Sequence, residues 1–282
     1  MSGWTLTLKQ APALRLDLRA LSPAALAGLS ADAVAKFGVW HGNESVALGE
    51  LFTITARSDD ALRFEGDLSR ADRIGWQLTA GRIHVDGPVG DYLGAGMSGG
   101  EIVARRHAGL LAACEMSGGR LEIGGNVGDY AASALPGSMD GMRGGTLLVR
   151  GSAGARFGDR MRRGSALVFG DAGDSRSAHV AGTIAVAGRI GAHAGYGMRR
   201  GSVVCAGTAP TIPPTFVAND ATSTCSGSCW RATWRAMAAP SLACRHGACN
   251  GIWATSLRAA RANCCCASER AALRHGAARL SS

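Results

Sequence analysis

Between Gly81 and Gly207 the chain returns seven times to one pattern, a glycine followed by apolar residues two and four places later. The anchoring glycines are Gly81, Gly100, Gly119, Gly145, Gly164, Gly182 and Gly201, and one step, between Gly119 and Gly145, carries a seven-residue insertion. The two apolar places read Ile83/Val85, Ile102/Ala104, Leu121/Ile123, Leu147/Val149, Ala166/Val168, Ile184/Val186 and Val203/Cys205, with no polar exception. Alternation with period two predicts a short strand with one buried face in every repeat.

A near-constant step of about nineteen residues predicts a solenoid, because one such unit cannot bury its own apolar face without its neighbours. Nine residues after the first six anchors comes a second glycine, at Gly90, Gly109, Gly128, Gly154, Gly173 and Gly191, so two corners of each turn are expected at glycine. A corner needs either positive φ or close backbone approach, and a side chain obstructs both. Three residues before the anchors stand Leu78, Met97, Met116, Met142, Met161 and Met198, read as core rungs rather than as soft-metal ligands. The fold class is therefore mainly β, a right-handed parallel β-helix of about seven glycine-cornered turns with a small N-terminal α/β cap. The places three after each anchor point outward, yet they include Val103, Leu148, Leu167 and Val204. That face is expected to be covered, by the chain's own flank or by another subunit.

Residues 1–62 read as the cap region, 63–217 as the helix and 218–282 as an anomalous tail. In the cap, WTLTL at 4–8 and LRLDL at 14–18 alternate as strands, Ser22 and Pro23 open a helix, and Ser30 caps a second one. No apolar run is long enough for a membrane span and the N-terminus has no signal-peptide pattern, so a cytoplasmic location is expected. The net charge of +9 is concentrated in the tail. From residue 221 onward there are eight arginines and one acidic residue, Glu269, which leaves only +2 for residues 1–220. The even spread of positive charge expected of a nucleic-acid binder is missing.

Candidate chemistry is sparse. Gly94, Gly96 and Gly99 fit G-x-G-x-x-G but lie inside a repeat without a βαβ unit, and read as a solenoid turn. His41, His84, His107, His179 and His193 are scattered over different turns with no ligand spacing, and read as surface or corner residues. Asp91 and Asp129 recur in a GDY phrase after a corner glycine, which predicts backbone capping rather than catalysis. Cys114 falls within a coil and Cys205 on an inward place. Seven further cysteines, Cys225, Cys229, Cys244, Cys249, Cys264, Cys265 and Cys266, lack the paired spacing of a zinc knuckle. No catalytic, cofactor-binding or metal-binding residue is assigned.

The phrases HGN followed by LGELF, GDLSRADRIGWQLTAGRI, the recurring GDY and M-x-x-G turns and PGSMDGMRGG together resemble the C subunit of formylmethanofuran dehydrogenase. They resemble still more its counterpart in the formyltransferase/hydrolase complex of aerobic methylotrophic bacteria. The likeness runs from about residue 36 to 217, and PGS accounts for the long step between Gly119 and Gly145. It implies a non-catalytic structural subunit of a complex that passes a formyl group from formyl-tetrahydromethanopterin to a methanofuran-type carrier and hydrolyses it to formate, in formaldehyde oxidation. The implied partners are an amidohydrolase-type subunit with a metal centre, a formyltransferase subunit and a further dehydrogenase-like subunit, with no cofactor bound by this chain. Alternatives are the C subunit of an oxidoreductase using a molybdenum or tungsten pterin and iron–sulfur clusters, and a glutamate-synthase-like scaffold domain. A β-helical polysaccharide enzyme is a third class, but the charges fall singly rather than clustering on adjacent turns.

The tail departs from the family, whose members end in an aromatic-rich helical segment and GELLL. Suitable GC-rich codons for CSGSCWRATWRAMAAPSLACR, read one base out of phase, spell FWQLLARDLARHGGPFAGLPA, and the same shift turns RANCCC into GELLL. The residues from about Thr222 onward thus read as a frameshift product. Resequencing the gene around the codon for Asp220 is expected to reveal the shift, and an unambiguous in-frame read through to Ser282 overturns it.

Overall fold

A computed structural model describes residues 3–174 and 181–208. His179, the seven tail cysteines and the segment 218–282 lie outside the described residues. The cap holds β1 (Gly3–Leu8), β2 (Leu16–Asp17), α1 (Pro23–Leu26), α2 (Ala31–Ala35), β3 (Gly38–His41), β4 (Glu44–Ala47), α3 (Leu48–Leu51) and β5 (Phe52–Arg57). The solenoid follows with β6 (Ala61–Glu65), β7 (Ala71–Asp72), β8 (Arg82–Val85), β9 (Glu101–Ala104), β10 (Arg120–Ile123), β11 (Arg143–Val149), β12 (Arg163–Val168), β13 (Thr183–Val186) and β14 (Ser202–Cys205).

The architecture is the expected β-solenoid of about seven turns. Strands β6 and β8 to β14 stack in parallel, each on the one before, and the register joins equivalent places, as in Leu121 beside both Ile102 and Leu147. A second ladder of single-residue bridges links Leu68, Val89, Ala108, Val127, Ala153, Ala172 and Ile190. Between these ladders every turn sends inward the two strand residues, the bridge residue, one from the third side and the rung before the anchor. In one turn these are Ile83, Val85, Val89, Leu93 and Met97, all buried. The methionine places are core rungs from Met97 to Met161, while Met198 in the last described turn is only half-buried.

The cap is stitched to the first turn on two sides. Strand β1 pairs in parallel with β6 and antiparallel with β5, so it extends the long sheet beyond the solenoid. Strand β2 pairs with β7 through Leu16 and Ala71. Only Leu16–Asp17 of LRLDL is strand, because Leu14 projects outward and is exposed. The Ser22 hydroxyl accepts the Ala25 N–H and the Ser30 hydroxyl the Ala33 N–H, satisfying helix-end donors as the sequence implied.

The corners differ in what they demand of glycine. Every anchor adopts positive φ, from 75° at Gly100 to 102° at Gly182, whereas the second row from Gly90 to Gly191 does not. That row is glycine because of close approach: a Cβ at Gly109 would stand 2.2 Å from Asp91 Oδ1. A third row, at Gly87, Gly125, Gly151, Gly170, Gly188 and Gly207, is equally tight, so the expectation of two glycine corners per turn is corrected to three. On the remaining side, positive φ is taken by ordinary residues, among them Tyr92, Leu111, Ala113, Glu115, Tyr130 and Ala132. There the N–H groups point alternately to the following and the preceding turn: Leu111 donates to Asp129 and Ala113 to Leu93. The inter-turn bonds offset the strain of those backbone conformations.

Gly119 combines φ of 80° with a would-be Cβ at 2.5 Å from Met97 and 2.7 Å from the Gly100 carbonyl; Gly137 has φ of 87° but nothing within 4 Å. Gly119→Ala is expected to destabilise by about 3 kcal/mol or more and Gly137→Ala by about 1 kcal/mol, measured as shifts of the urea midpoint. Equal losses would contradict the close-approach account.

Candidate docking surface

The polar residues that looked most like chemistry serve instead to join turns. Corner amides of a solenoid point along its axis, so a donor at one turn needs an acceptor from a neighbouring turn. One file supplies it from His107 onward. His107 Nδ1 accepts the Asn126 N–H at 2.9 Å, Asn126 Oδ1 the Ser152 N–H at 2.9 Å, Ser152 Oγ the Asp171 N–H at 3.1 Å and Asp171 Oδ1 the Arg189 N–H at 2.7 Å. The Arg189 amide holds the Asp171 carboxyl below the usual carboxylate range.

A second file runs beside it. Asp72 Oδ1 accepts the Asp91 N–H at 2.9 Å, Asp91 Oδ1 the Leu110 N–H at 2.8 Å, Asp129 Oδ1 the Ala155 N–H at 2.7 Å and Asp174 Oδ1 the Ala192 N–H at 3.0 Å. The GDY aspartates do cap backbone, but they cap the following turn rather than their own. Arg15 of the cap lies between Asp72 and Asp91, at 2.6 and 2.8 Å.

The other candidates stay apart. His41 Nε2 accepts the Leu14 N–H at 3.1 Å, His84 sits half-buried in β8, and His193 lies edge-on to Tyr196. Gly94 and Gly96 donate to Ile74 and to Cys114, neighbouring-turn bonds that leave no phosphate cradle, and a Cβ at Gly99 would meet the Thr79 carbonyl at 2.1 Å. Among the described residues no group of three or more His, Cys, Asp or Glu could hold a metal ion, and no helix is long and apolar enough to cross a membrane.

What the fold does present is surface, and it changes character along the axis. The outward row of the long sheet begins with Arg63, His84, Val103 and Glu122 and ends with Leu148, Leu167, Ala185 and Val204. In the first half, charges are paired: Asp86 with Arg63 and Arg105, Glu122 with Arg120 and Arg150. Burial alone pushes the Glu122 carboxyl upward, but hydrogen bonds from Arg120 and Arg150 outweigh it and hold the group below its usual range. In the second half Leu148, Leu167 and Ala185 are buried within this one chain, with Phe169 and Val204 packed against them. The cover there is the chain's own, which decides between flank and partner for those three places.

A further surface was not read from the sequence. In the places just before the anchors, Ser98–Gly99 and Ser117–Gly118 give way to Arg143, Arg162–Arg163 and Arg199–Arg200, all exposed. Arg143 and Arg163 are directly opposite across β11 and β12. The insertion stands beside them, emerging between Ala132 and Met142. Arg160 Nη1 donates to the Ser138 carbonyl at 2.6 Å and Arg162 pairs with Asp140 at 2.5 Å, leaving Met139 70% exposed at the tip. The signal was present as a switch from serine to arginine in one repeat place, but it emerges only when the turns are aligned.

No family model matches the chain. The C subunit of the tungsten-containing formylmethanofuran dehydrogenase 2 of Methanothermobacter wolfeii is 38% identical over 101 residues, which are 34% of this chain and 37% of that protein. The C subunit of the formyltransferase/hydrolase complex of Methylorubrum extorquens is 40% identical over 79 residues, 28% of this chain and 30% of that protein. The chain thus aligns with little more than a third of the length of the curated relatives it matches. A chain in the X-ray crystal structure of the Methylorubrum extorquens formyltransferase/hydrolase complex with methylofuran superposes with a TM-score of 0.74 at 36% identity. That match covers 82% of this chain and 87% of the other.

Burial, with the Glu115 charge adding at Cys114, pushes the Cys114 thiol up to about 12, and burial pushes Cys205 up to about 11. Neither thiol is expected to be alkylated by iodoacetamide at pH 8 in the folded protein, whereas both react in urea, as followed by peptide mass spectrometry. Because the unfolded thiols ionise first, stability is expected to fall as pH rises above about 8.5.

Proposed function

This chain belongs to the family of C subunits shared by formylmethanofuran dehydrogenases and formyltransferase/hydrolase complexes, and from that premise we propose that it is a non-catalytic structural subunit of a formyltransferase/hydrolase complex. That complex would convert formyl-tetrahydromethanopterin, through a formylated methanofuran-type carrier, to formate. The observation that carries the reading is the 36% identity and TM-score of 0.74 across 87% of a chain of the Methylorubrum extorquens complex. The geometry agrees with it: the polar residues of the turns are spent on joining turns, and what remains outside is rigid surface.

In such an assembly a partner with an amidohydrolase-type metal centre hydrolyses the formyl carrier, a formyltransferase subunit loads it, and a further, dehydrogenase-like subunit joins them in the cytoplasm. The carrier, the pterin and the metal belong to those partners. The described residues of this chain do not fit a metal.

Affinity purification of the tagged full chain from its native host, at moderate salt, tests the reading. Co-elution of an amidohydrolase-type and a formyltransferase subunit in fixed ratio is expected. Recovery with a molybdenum- or tungsten-pterin subunit would move the chain to the oxidoreductase branch of the family, and recovery of the chain alone would overturn the subunit role.

A further inference from the structure

We propose that the arginine corner of the second half of the solenoid, with the insertion around Met139, is the docking site for an acidic segment of another subunit. The inference rests on the reading of the chain as part of a complex and adds where, and by what chemistry, a partner is held.

Most arginines of this protein have a mate. Arg15, Arg19, Arg57, Arg63, Arg73, Arg82, Arg105, Arg120, Arg150, Arg162 and Arg189 each face a carboxylate. Arg70 and Arg160 bond carbonyls, and Arg156 lies over the Tyr130 ring. Among the described residues, Arg106, Arg143, Arg163, Arg199 and Arg200 alone have no partner of any of these kinds, and all but Arg106 stand on one corner.

The placement is costly in the isolated chain. Arg143 and Arg163 are opposite each other on adjacent strands, about 4.8 Å apart. Like charges in that position destabilise a sheet, and the earlier turns put Thr79, Ser98 and Ser117 on the same corner without penalty. An arrangement that breaks a local rule is compensated elsewhere, and here the compensation is a row of carboxylates from outside.

The shape fits an extended segment. From Arg143 to Arg200 the corner spans three inter-turn steps, about 15 Å, the reach of four to five extended residues, with Val180 and Ala181 in the sequence places of the one turn between that lacks arginine. Met139 supplies an exposed apolar seat at one end, held in place by Arg160 on the Ser138 carbonyl and by the Asp140–Arg162 pair. A phosphate backbone has no use for that seat, and the near-neutral balance of residues 1–220 lacks the broad field of a nucleic-acid site. A second copy of this chain fits poorly too. Its exposed Asp59 and Asp60 are held by Arg57 and Arg82, and the exposed Asp32, Glu44 and Glu50, which have no ion pair among the described residues, sit on α2, β4 and α3 rather than along one extended segment.

The test uses the full chain in its native host, comparing wild type with R143E/R163E and with R143K/R163K. Dissociation of the purified complex is followed by mass photometry across a sodium chloride series. Charge reversal is expected to weaken the complex at least about tenfold and to flatten its salt dependence, while the lysine pair stays within about threefold of wild type. Thermal melts establish that the variants fold, and R199E/R200E takes the place of R143E/R163E if that pair does not. A benzophenone amino acid at position 139 is expected to cross-link to a carboxylate-rich peptide of another subunit. Wild-type affinity in the reversed variant, or cross-links confined to this chain, overturns the docking site and leaves the structural role in the complex standing. If the wild-type chain holds no partner at all, both fall.

Discussion

Successive turns of this solenoid meet backbone to backbone at about 4.8 Å, and almost every feature of the chain follows from keeping that approach open. A methyl group at most of the tight corners would lie less than 3 Å from an oxygen of the turn before, so three rows of glycine follow the stack, one of them broken at Arg106. The same closeness lets the inward rows bury completely. With small residues such as Ala104 and Ala112 in one turn and Phe157 in another, the rows vary in volume without a change of register. Backbone contact fixes the spacing, and the side chains fill the space it leaves.

The outside of the described turns changes character along the axis. Toward the cap, strand pairing on two sides and the ion pairs of Arg15, Arg63, Arg105 and Arg120 leave few open valences. Toward β14 the outward row becomes aliphatic and is buried within the chain at Leu148, Leu167 and Ala185, while the corner beside it carries the unmatched Arg143, Arg163, Arg199 and Arg200. Charge on the outside of the stack thus passes from paired in the first turns to unpaired along one corner of the later ones.

Much of this was legible from residue order because a solenoid repeats its requirements. The inward alternation from Ile83 to Cys205, the methionine rungs and the Ser22 and Ser30 caps are all local patterns, and each is where the periodicity puts it. What escaped was of two kinds. The side occupied by Tyr92, Leu111, Tyr130 and Arg156 has positive φ at residues whose types give no sign of it, since inter-turn hydrogen bonds impose the conformation. The third glycine row is broken at Arg106 and is hidden among 41 glycines. Contacts between turns, such as His107 with Asn126 or Asn126 with Ser152, depend on step lengths that the insertion alters, and β1 with β6 joins residues 58 apart. The candidate surface was harder still, because exposure and the lack of a mate belong to no single residue.

The two files of capping side chains have a direction. In every link of both files the acceptor belongs to the earlier turn and the amide to the later one, from Asp72 with Asp91 to Asp174 with Ala192. In these side-chain links each turn therefore holds acceptors for its successor, while the backbone bonds between turns run both ways, as in Leu111 to Asp129 and Ala113 to Leu93. As the chain leaves the ribosome, a completed turn already offers these side-chain acceptors to the next, while amides such as that of Leu111 wait for the carbonyls of the turn that follows. The stack can therefore grow from the cap outward one turn behind synthesis.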